Sequence, residues 1–417
     1  MTDIERIYEE FPALDQSVNG RRLVYLDSAA TSMRPREVLR AIDDFYSRDG
    51  ANPHRGLYDM AQRSTEAYDG SREVVAKFIG ADAEETVFTR NASESLNMIA
   101  YGILPELLKN GGNIVIPISE HHSNLVPWQV FVKKYGAQLR YMYVDLETGE
   151  LPDAELRKID ANTKIVAFAH VSNVLGTRLP LEKLIAAAKA VGALTVLDAA
   201  QSVPHFKIDL HALDVDFAAF SGHKMYGPMG IGVLYGKKKL LEDMPPFLYG
   251  GDMIEDVREQ ETDFLPPPSR FEAGTQNAGG AVGIAAASAF IEKIGFDAIE
   301  KRERALLRRL VAGLKSLKNV TIIGNNDENA ERYGVVPFNI DGVHPHDAAT
   351  VLNEYGVAVR AGKHCAHPLL TYLGVEFGAC CRASLGVYNT PSDVDKLIEA
   401  IPEVRRRLKL DAGAVLY

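Results

Sequence analysis

A doubly wound α/β fold with a smaller α+β domain after it is what this sequence predicts, and three observations predict it. Short apolar runs alternate with helix-period segments from about residue 34 to residue 290. The runs are apolar at consecutive positions, as in strands buried on both faces of a mostly parallel sheet flanked by helices. Beyond about residue 291 the pattern changes to one long amphipathic helix followed by shorter strands.

In order, strands are expected at residues 113–118, 139–145, 164–170, 193–198, 216–220 and 231–235. Between them lie helical segments such as 181–191, with a face of Leu, Ile and Ala. Ligands of such sheets sit outside the carboxyl ends of the strands, so chemistry is expected in the loops that follow them. Residues 296–317 read as a long helix with Leu306, Leu310, Leu314 and Leu317 on one stripe. Strands at 320–324, 335–340, 357–362 and 381–386 and a closing helix at 393–408 complete the pattern. The expected division is a large domain over residues 21–290 and a small one over 291–417, with residues 1–20 packing on the latter. The Pro-rich stretch 264–270 reads as an exposed loop.

Composition narrows the function. The 417 residues carry 46 basic and 56 acidic side chains, a net charge of −10, which argues against a nucleic-acid binder. No stretch approaches the roughly 20 apolar residues that span a bilayer. The acidic, amphipathic start MTDIERIYEEF is unlike a signal peptide, and three cysteines, two of them adjacent, make no disulfide framework. A cytoplasmic protein is expected.

The most informative segment is 220–228, FSGHKMYGP, which places Lys224 on a turn between two strands. A lysine there can be an ordinary surface residue. Its neighbours suggest more: a hydroxyl, a glycine and an imidazole suit a phosphate, while the amine suits a Schiff base. Such a pyridoxal phosphate site needs an acid at the pyridine nitrogen. Asp198 ends an apolar strand and qualifies, although Asp is also a common helix cap. Gln201 lies three residues on, within reach of a phenolic oxygen. In the run 120–124, EHHSN, either histidine could stack on the ring. The run 90–94, RNASE, offers Ser93 and backbone N–H groups at a helix start.

A second segment, 359–368, VRAGKHCAHP, sets Cys365 beside Arg360, Lys363 and two histidines. That electropositive setting favours a nucleophilic thiolate. A buried structural cysteine and a metal site drawing on His364, Cys365, His367, Cys380 and Cys381 are the competing readings. Arg382, on a short strand, could clamp a substrate carboxylate through its planar fork, or make an ordinary ion pair. Cys380 and Cys381 alternate on that strand, so one of them should face the core.

The strings YLDSAATS, NPHRG, EHHSNLVPWQ, HVSNVLGT, DAAQSVPH, SGHKMYGP, RFEAGTQN, RAGKHCAHPL and CRASLGVYNT occur in this order. Together they resemble the SUF-type (group II) cysteine desulfurases, in the class V aminotransferase group of fold-type-I pyridoxal phosphate enzymes. The resemblance runs from about residue 10 to the C-terminus. It implies conversion of L-cysteine to L-alanine with sulfur passing to Cys365 as a persulfide, for iron–sulfur cluster assembly or other sulfur transfer. It implies that Lys224 carries pyridoxal 5′-phosphate, Asp198 meets the pyridinium nitrogen, Gln201 the phenolic oxygen, and His121 stacks on the ring. The phosphate would be held by Ser93, Ser221 and His223, with Thr275 from the other subunit of a homodimer. Asn173 and Arg382 would bind the substrate carboxylate, with His54 and Arg360 lining the pocket. A sulfur-acceptor protein is the implied partner.

Three positions depart from the family pattern. Lys363 stands where many relatives have a histidine and His367 where a non-ionisable residue is common; Asp27-Ser28 stands where some have Asp-Asn. The competing activities are selenocysteine lyase and cysteine-sulfinate desulfinase, and more distantly a non-catalytic sulfur-carrier scaffold or a zinc hydrolase.

Overall fold

The computed structural model describes residues 4–410; residues 1–3, from the expected N-terminal segment, and 411–417, from the end of the expected small domain, lie outside the described residues. In chain order the strands of the two main sheets are Val24–Leu26 (β1), Thr86–Thr89 (β2), Asn113–Pro117 (β3), Gln138–Met142 (β4), Thr163–Ala169 (β5), Leu194–Asp198 (β6), Phe217–Ser221 (β7), Gly232–Gly236 (β8), Val320–Ile322 (β9), Val335–Ile340 (β10), Val357–Gly362 (β11) and Cys380–Ser384 (β12).

Seven of them form the large sheet, in the order β2-β8-β7-β6-β5-β3-β4. The pairs β7–β6, β6–β5, β5–β3 and β3–β4 are parallel. β8 runs antiparallel to both β7 and β2. β3, β7 and β8 are buried at every position, as strands covered on both faces must be. The Arg36–Arg48 and Asp59–Phe78 helices both pack on the Ala278–Ile294 helix. That helix is rich in Gly and Ala, and a Cβ on Gly279 would lie only 2.3 Å from the Tyr46 ring. Small residues therefore permit the close approach.

The second sheet has the order β9-β10-β12-β11-β1, antiparallel except for the parallel pair β11–β1. The Phe296–Ser316 helix covers it with Leu306, Leu310 and Leu314 in one core. Two expectations change here. Residues 24–26, placed in the large domain, form the edge of the small sheet, because β11 offers them an unpaired backbone edge. The N-terminal segment does not sit on the small domain alone. Phe11 wedges into the seam, with ring centroids 5.8 Å from Tyr226 and Phe290 and 4.7 Å from Tyr388. Among the described residues, no helix is long and apolar enough to cross a membrane.

Candidate active site

A crevice of about 260 Å³ opens at the carboxyl ends of β5, β6 and β7, where the small domain meets the large sheet. Ser93, His121, Asn173, Asp198, Ser221, His223, Lys224, Arg360, Cys365 and Arg382 all line it. Ten of the expected side chains thus converge from segments far apart in sequence.

Lys224 stands half-buried on the turn after β7. Burial pushes its pKa down, against the pull of Asp198. Asp198 ends β6, and burial pushes its carboxyl up, against the pull of Lys224. Each ion is expensive to bury and is stabilised by the other. His121 lies across the crevice, with burial and then Lys224 driving its pKa down to about 3. Its Nδ1 accepts the Ser123 N–H at 3.0 Å, so the neutral ring carries its proton on Nε2.

At one end of the crevice begins the Ala92–Leu107 helix, capped by Asn91, whose side chain accepts the Glu94 N–H. Gly232 brings β8 against this cap; a Cβ there would sit 2.5 Å from the Asn91 Cα. Ser221 Oγ accepts the Ala92 N–H at 2.9 Å, and Ser93 and Ser123 hydroxyls lie 2.5 Å apart. Burial lowers the His223 pKa to about 4. A helix N-terminus ringed by hydroxyls is an anion site.

At the other end, Arg382 is 2% exposed on β12. Its Nη1 donates to the Asn173 backbone carbonyl at 2.9 Å and its Nη2 to Asp27 Oδ1 at 3.3 Å. Arg360 approaches the same carboxylate at 3.8 Å. Arg382 Nε and Asn173 Oδ1 are buried without a protein partner. A donor and an acceptor left over in one crevice suit the carboxylate and ammonium of an amino acid.

Cys365 is exposed at the crevice rim. It and His364 hold φ of 56° and 47°, in the left-handed region that costs roughly 1–2 kcal/mol per non-glycine residue. Three hydrogen bonds hold this backbone in place. Asn173 Nδ2 donates to the His364 carbonyl at 2.7 Å, the His122 N–H to the Cys365 carbonyl at 2.7 Å, and the Ala366 N–H to the Lys363 carbonyl at 2.9 Å. His364 Nε2 donates to the Cys380 carbonyl at 2.9 Å, and burial lowers the His364 pKa to about 3.

Three expected residues lie outside the crevice. Gln201 is buried beneath it, its amide donating to the Ala29 carbonyl at 2.8 Å, so it supports the wall and does not line it. Exposed His54 pairs with Asp69 at 3.1 Å and stands edge-on to Tyr68. Exposed Thr275 lines a separate groove with Tyr68, Phe88 and Arg90. Both Cys380 and Cys381 are fully buried, not one of them, because β12 is covered on both faces. Burial pushes the Cys381 thiol up to about 12, and Cys380 higher. The five candidate metal ligands do not converge. Among the described residues the ligand atoms that gather within 4.8 Å belong to Asp82, Glu85 and His211, away from the crevice. Sequence reasoning missed Asn91, Ser123 and the Asp27 contact with Arg382; an Asn before a helix start was a legible signal for the first.

Pyridoxal phosphate fits this donor set: a desolvated amine, a buried acid, a flat neutral imidazole and an anion-binding helix start share one cavity of suitable size.

Comparison with known proteins gives a family model described as Aminotransferase class-V, matching residues 24–397. A probable cysteine desulfurase of Streptomyces coelicolor is 44% identical over 412 residues, 97% of this chain and 98% of that protein. Probable cysteine desulfurase 2 of Mycobacterium leprae is 47% identical, covering 96% of each chain. Among solved structures, the cysteine desulfurase of Thermococcus onnurineus superimposes with a TM-score of 0.90 at 41% identity, over 96% of this chain and 97% of that one. The Escherichia coli cysteine desulfurase CsdA gives 0.87 at 37% identity, over 97% and 99%.

Proposed function

The chain belongs to the class-V aminotransferase family, and from that premise we infer that it is a pyridoxal-phosphate-dependent cysteine desulfurase whose sulfur acceptor is its own Cys365. The observation that carries the reading is that Lys224 and Cys365 line one crevice with Arg382. Pyridoxal 5′-phosphate, when bound, supplies an aldehyde for covalent attachment and an electron-withdrawing ring that acidifies the substrate α-carbon.

The residues of this chain do the rest. Lys224 is the attaching amine. Burial lowers its pKa, which favours the neutral amine that a base for the substrate α-proton must be. Asp198 would supply the negative charge that pairs with the pyridine nitrogen, and His121 would cover the ring face. Ser93, Ser221, His223 and the Asn91-capped helix start would hold the phosphate. Arg382, with Asn173 and Arg360 beside it, orients the substrate carboxylate. The Cys365 thiolate then forms an S–S bond to the substrate sulfur as the Cβ–S bond breaks. The balance is cysteine plus thiol giving alanine plus persulfide.

Assignment to the SUF-type branch is supported by the short RAGKHCA loop. A homodimer completed by Thr275 of the partner subunit is supported by exposed Leu57, Tyr58, Leu248 and Tyr249. Of these, Leu248 lines the groove that holds Thr275. A cytoplasmic setting and a sulfur-acceptor protein of iron–sulfur assembly complete the proposal. The test is quantification of alanine and sulfide from L-cysteine, with and without a thiol reductant, in wild type and Cys365→Ala. Loss of both products in the variant with cofactor binding intact supports the reading. A variant fully active on cysteine overturns it, and undiminished activity on selenocysteine or cysteine sulfinate then identifies the competing activity.

A further inference from the structure

Beside the nucleophile loop stand two imidazoles that this reaction scheme leaves unused. His367 Nδ1 lies 3.0 Å from His122 Nε2, and the rings are 4.7 Å apart. The His367 backbone N–H points at the same His122 nitrogen from 3.3 Å. This N–H belongs to the first residue of the His367–Tyr372 helix, whose opening donors have no partner within the helix. Two donors converging on one ring nitrogen fix its state: His122 Nε2 is unprotonated, its proton sits on Nδ1, and His367 donates from Nδ1. Meanwhile the His122 backbone N–H holds the Cys365 carbonyl at 2.7 Å. The pair therefore fastens both ends of the segment 365–367 to the turn that also carries His121.

We propose that His122 and His367 are positioning residues for sulfur transfer, a clasp that holds the left-handed Cys365 backbone in register with the crevice and opens when His122 takes a second proton. The proposal rests on the reading of Cys365 as the nucleophile. The strain at His364 and Cys365 gives the clasp something to oppose, since a loop in two successive left-handed conformations relaxes unless it is held.

The charged groups around His122 do not replace this contact. His121, on its own turn, has its ring centroid 6.3 Å away. The nucleophile loop brings Lys363, His364, Cys365 and His367. The Ala92–Leu107 helix packed on this turn brings Glu94, whose carboxylate already accepts from Arg90. The Val126–Tyr135 helix carries Lys133 and Lys134 in its last turn, and β5 carries Lys164 near its start. Burial and then His367 lower the His122 pKa. The clasp is accordingly whole above the ordinary histidine range, about 6.5, and weakens as pH falls below it.

The test uses holoenzyme. In His367→Phe, which keeps a ring and the backbone N–H, hydrogen exchange of the 363–367 amides should rise and kcat should fall, each about threefold to tenfold, the range of one lost hydrogen bond, with KM unmoved. His367→Asn, which can place an amide N–H near the Nδ1 position, should restore most of both. His122→Gln offers a non-titrating acceptor near Nε2, so the acid-side rise in amide exchange should disappear there while persisting in His367→Asn. Wild-type exchange and kcat in His367→Phe, or an unchanged acid-side rise in His122→Gln, overturns the clasp. Amide exchange is indifferent to which group accepts sulfur. A fully active Cys365→Ala variant would thus sink the parent reading while the exchange data judge the clasp separately.

Discussion

Arg382→Lys separates substrate anchoring from catalysis. In the crevice the Arg382 fork is divided: Nη1 holds the Asn173 carbonyl at 2.9 Å, Nη2 reaches Asp27 at 3.3 Å, and Nε is left over. A substrate carboxylate can engage Nε together with an Nη. Lysine keeps the charge but offers one nitrogen, for which Asn173 and Asp27 compete. The variant therefore loses at least one charge-assisted hydrogen bond, about 1.5–3 kcal/mol, or roughly 10- to 150-fold in binding. Because the carboxylate does not change during the reaction, this is uniform binding, and KM should rise while kcat changes little. The assay is alanine formation over a range of L-cysteine concentrations, with cofactor absorbance reporting equal loading. A KM within about threefold of wild type, below the loss expected for one such bond, refutes the assigned role. Arg382→Ala is the poorer probe, since it also leaves half-buried Asp27 with only the more distant Arg360 as a cation partner.

Further outcomes follow from the same geometry. Lys224→Ala should abolish the borohydride-reducible linkage between cofactor and protein; a link that persists places the Schiff base elsewhere. Arg72 and Glu272 form a buried bidentate pair, and Glu272 also accepts Tyr68 Oη and the Phe88 N–H, both at 2.7 Å. Glu272→Ala should lose about 3–5 kcal/mol in urea unfolding, and a loss under about 1 kcal/mol contradicts the pair's importance. His170 and His364 are 2% and 6% exposed, and burial holds both pKa values near 3. Their unfolded forms bind protons below about 6.5 and the folded forms do not, so stability is full above that pH and falls as pH drops toward 5, by up to about 2 kcal/mol each. His170→Phe should flatten that acid slope, and an unchanged slope refutes the assignment.

Six of the seven strands of the large sheet were legible as mostly apolar runs, with predicted edges within a few residues of those observed, whereas the four-residue strand Thr86–Thr89 was not among those expected. Direction was not legible: β8 reads like its neighbours but runs antiparallel, and an apolar run carries no sign of orientation. β1 escaped because three residues show no period and their partner, β11, lies over 300 positions away. The Ala278–Ile294 helix is buried on most faces and offers no amphipathic stripe. In the site, residues that end strands or start helices were found because the sheet brings such ends together. His54 looked eligible through its motif neighbours, yet within the single chain its ring turns to Asp69 and Tyr68. The contacts Asp27–Arg382 and His122–His367 join positions 355 and 245 residues apart, so local spacing carries no trace of them.

The central claim is most directly tested by locating the transferred sulfur. Holoenzyme turned over with L-cysteine without reductant, then alkylated, digested and weighed, should carry one added sulfur atom on the Cys365 peptide. It should match the alanine formed in the first turnover and leave Cys380 and Cys381 unmodified. Alanine released in that first turnover with no sulfur on Cys365, or with it on another residue, contradicts the account.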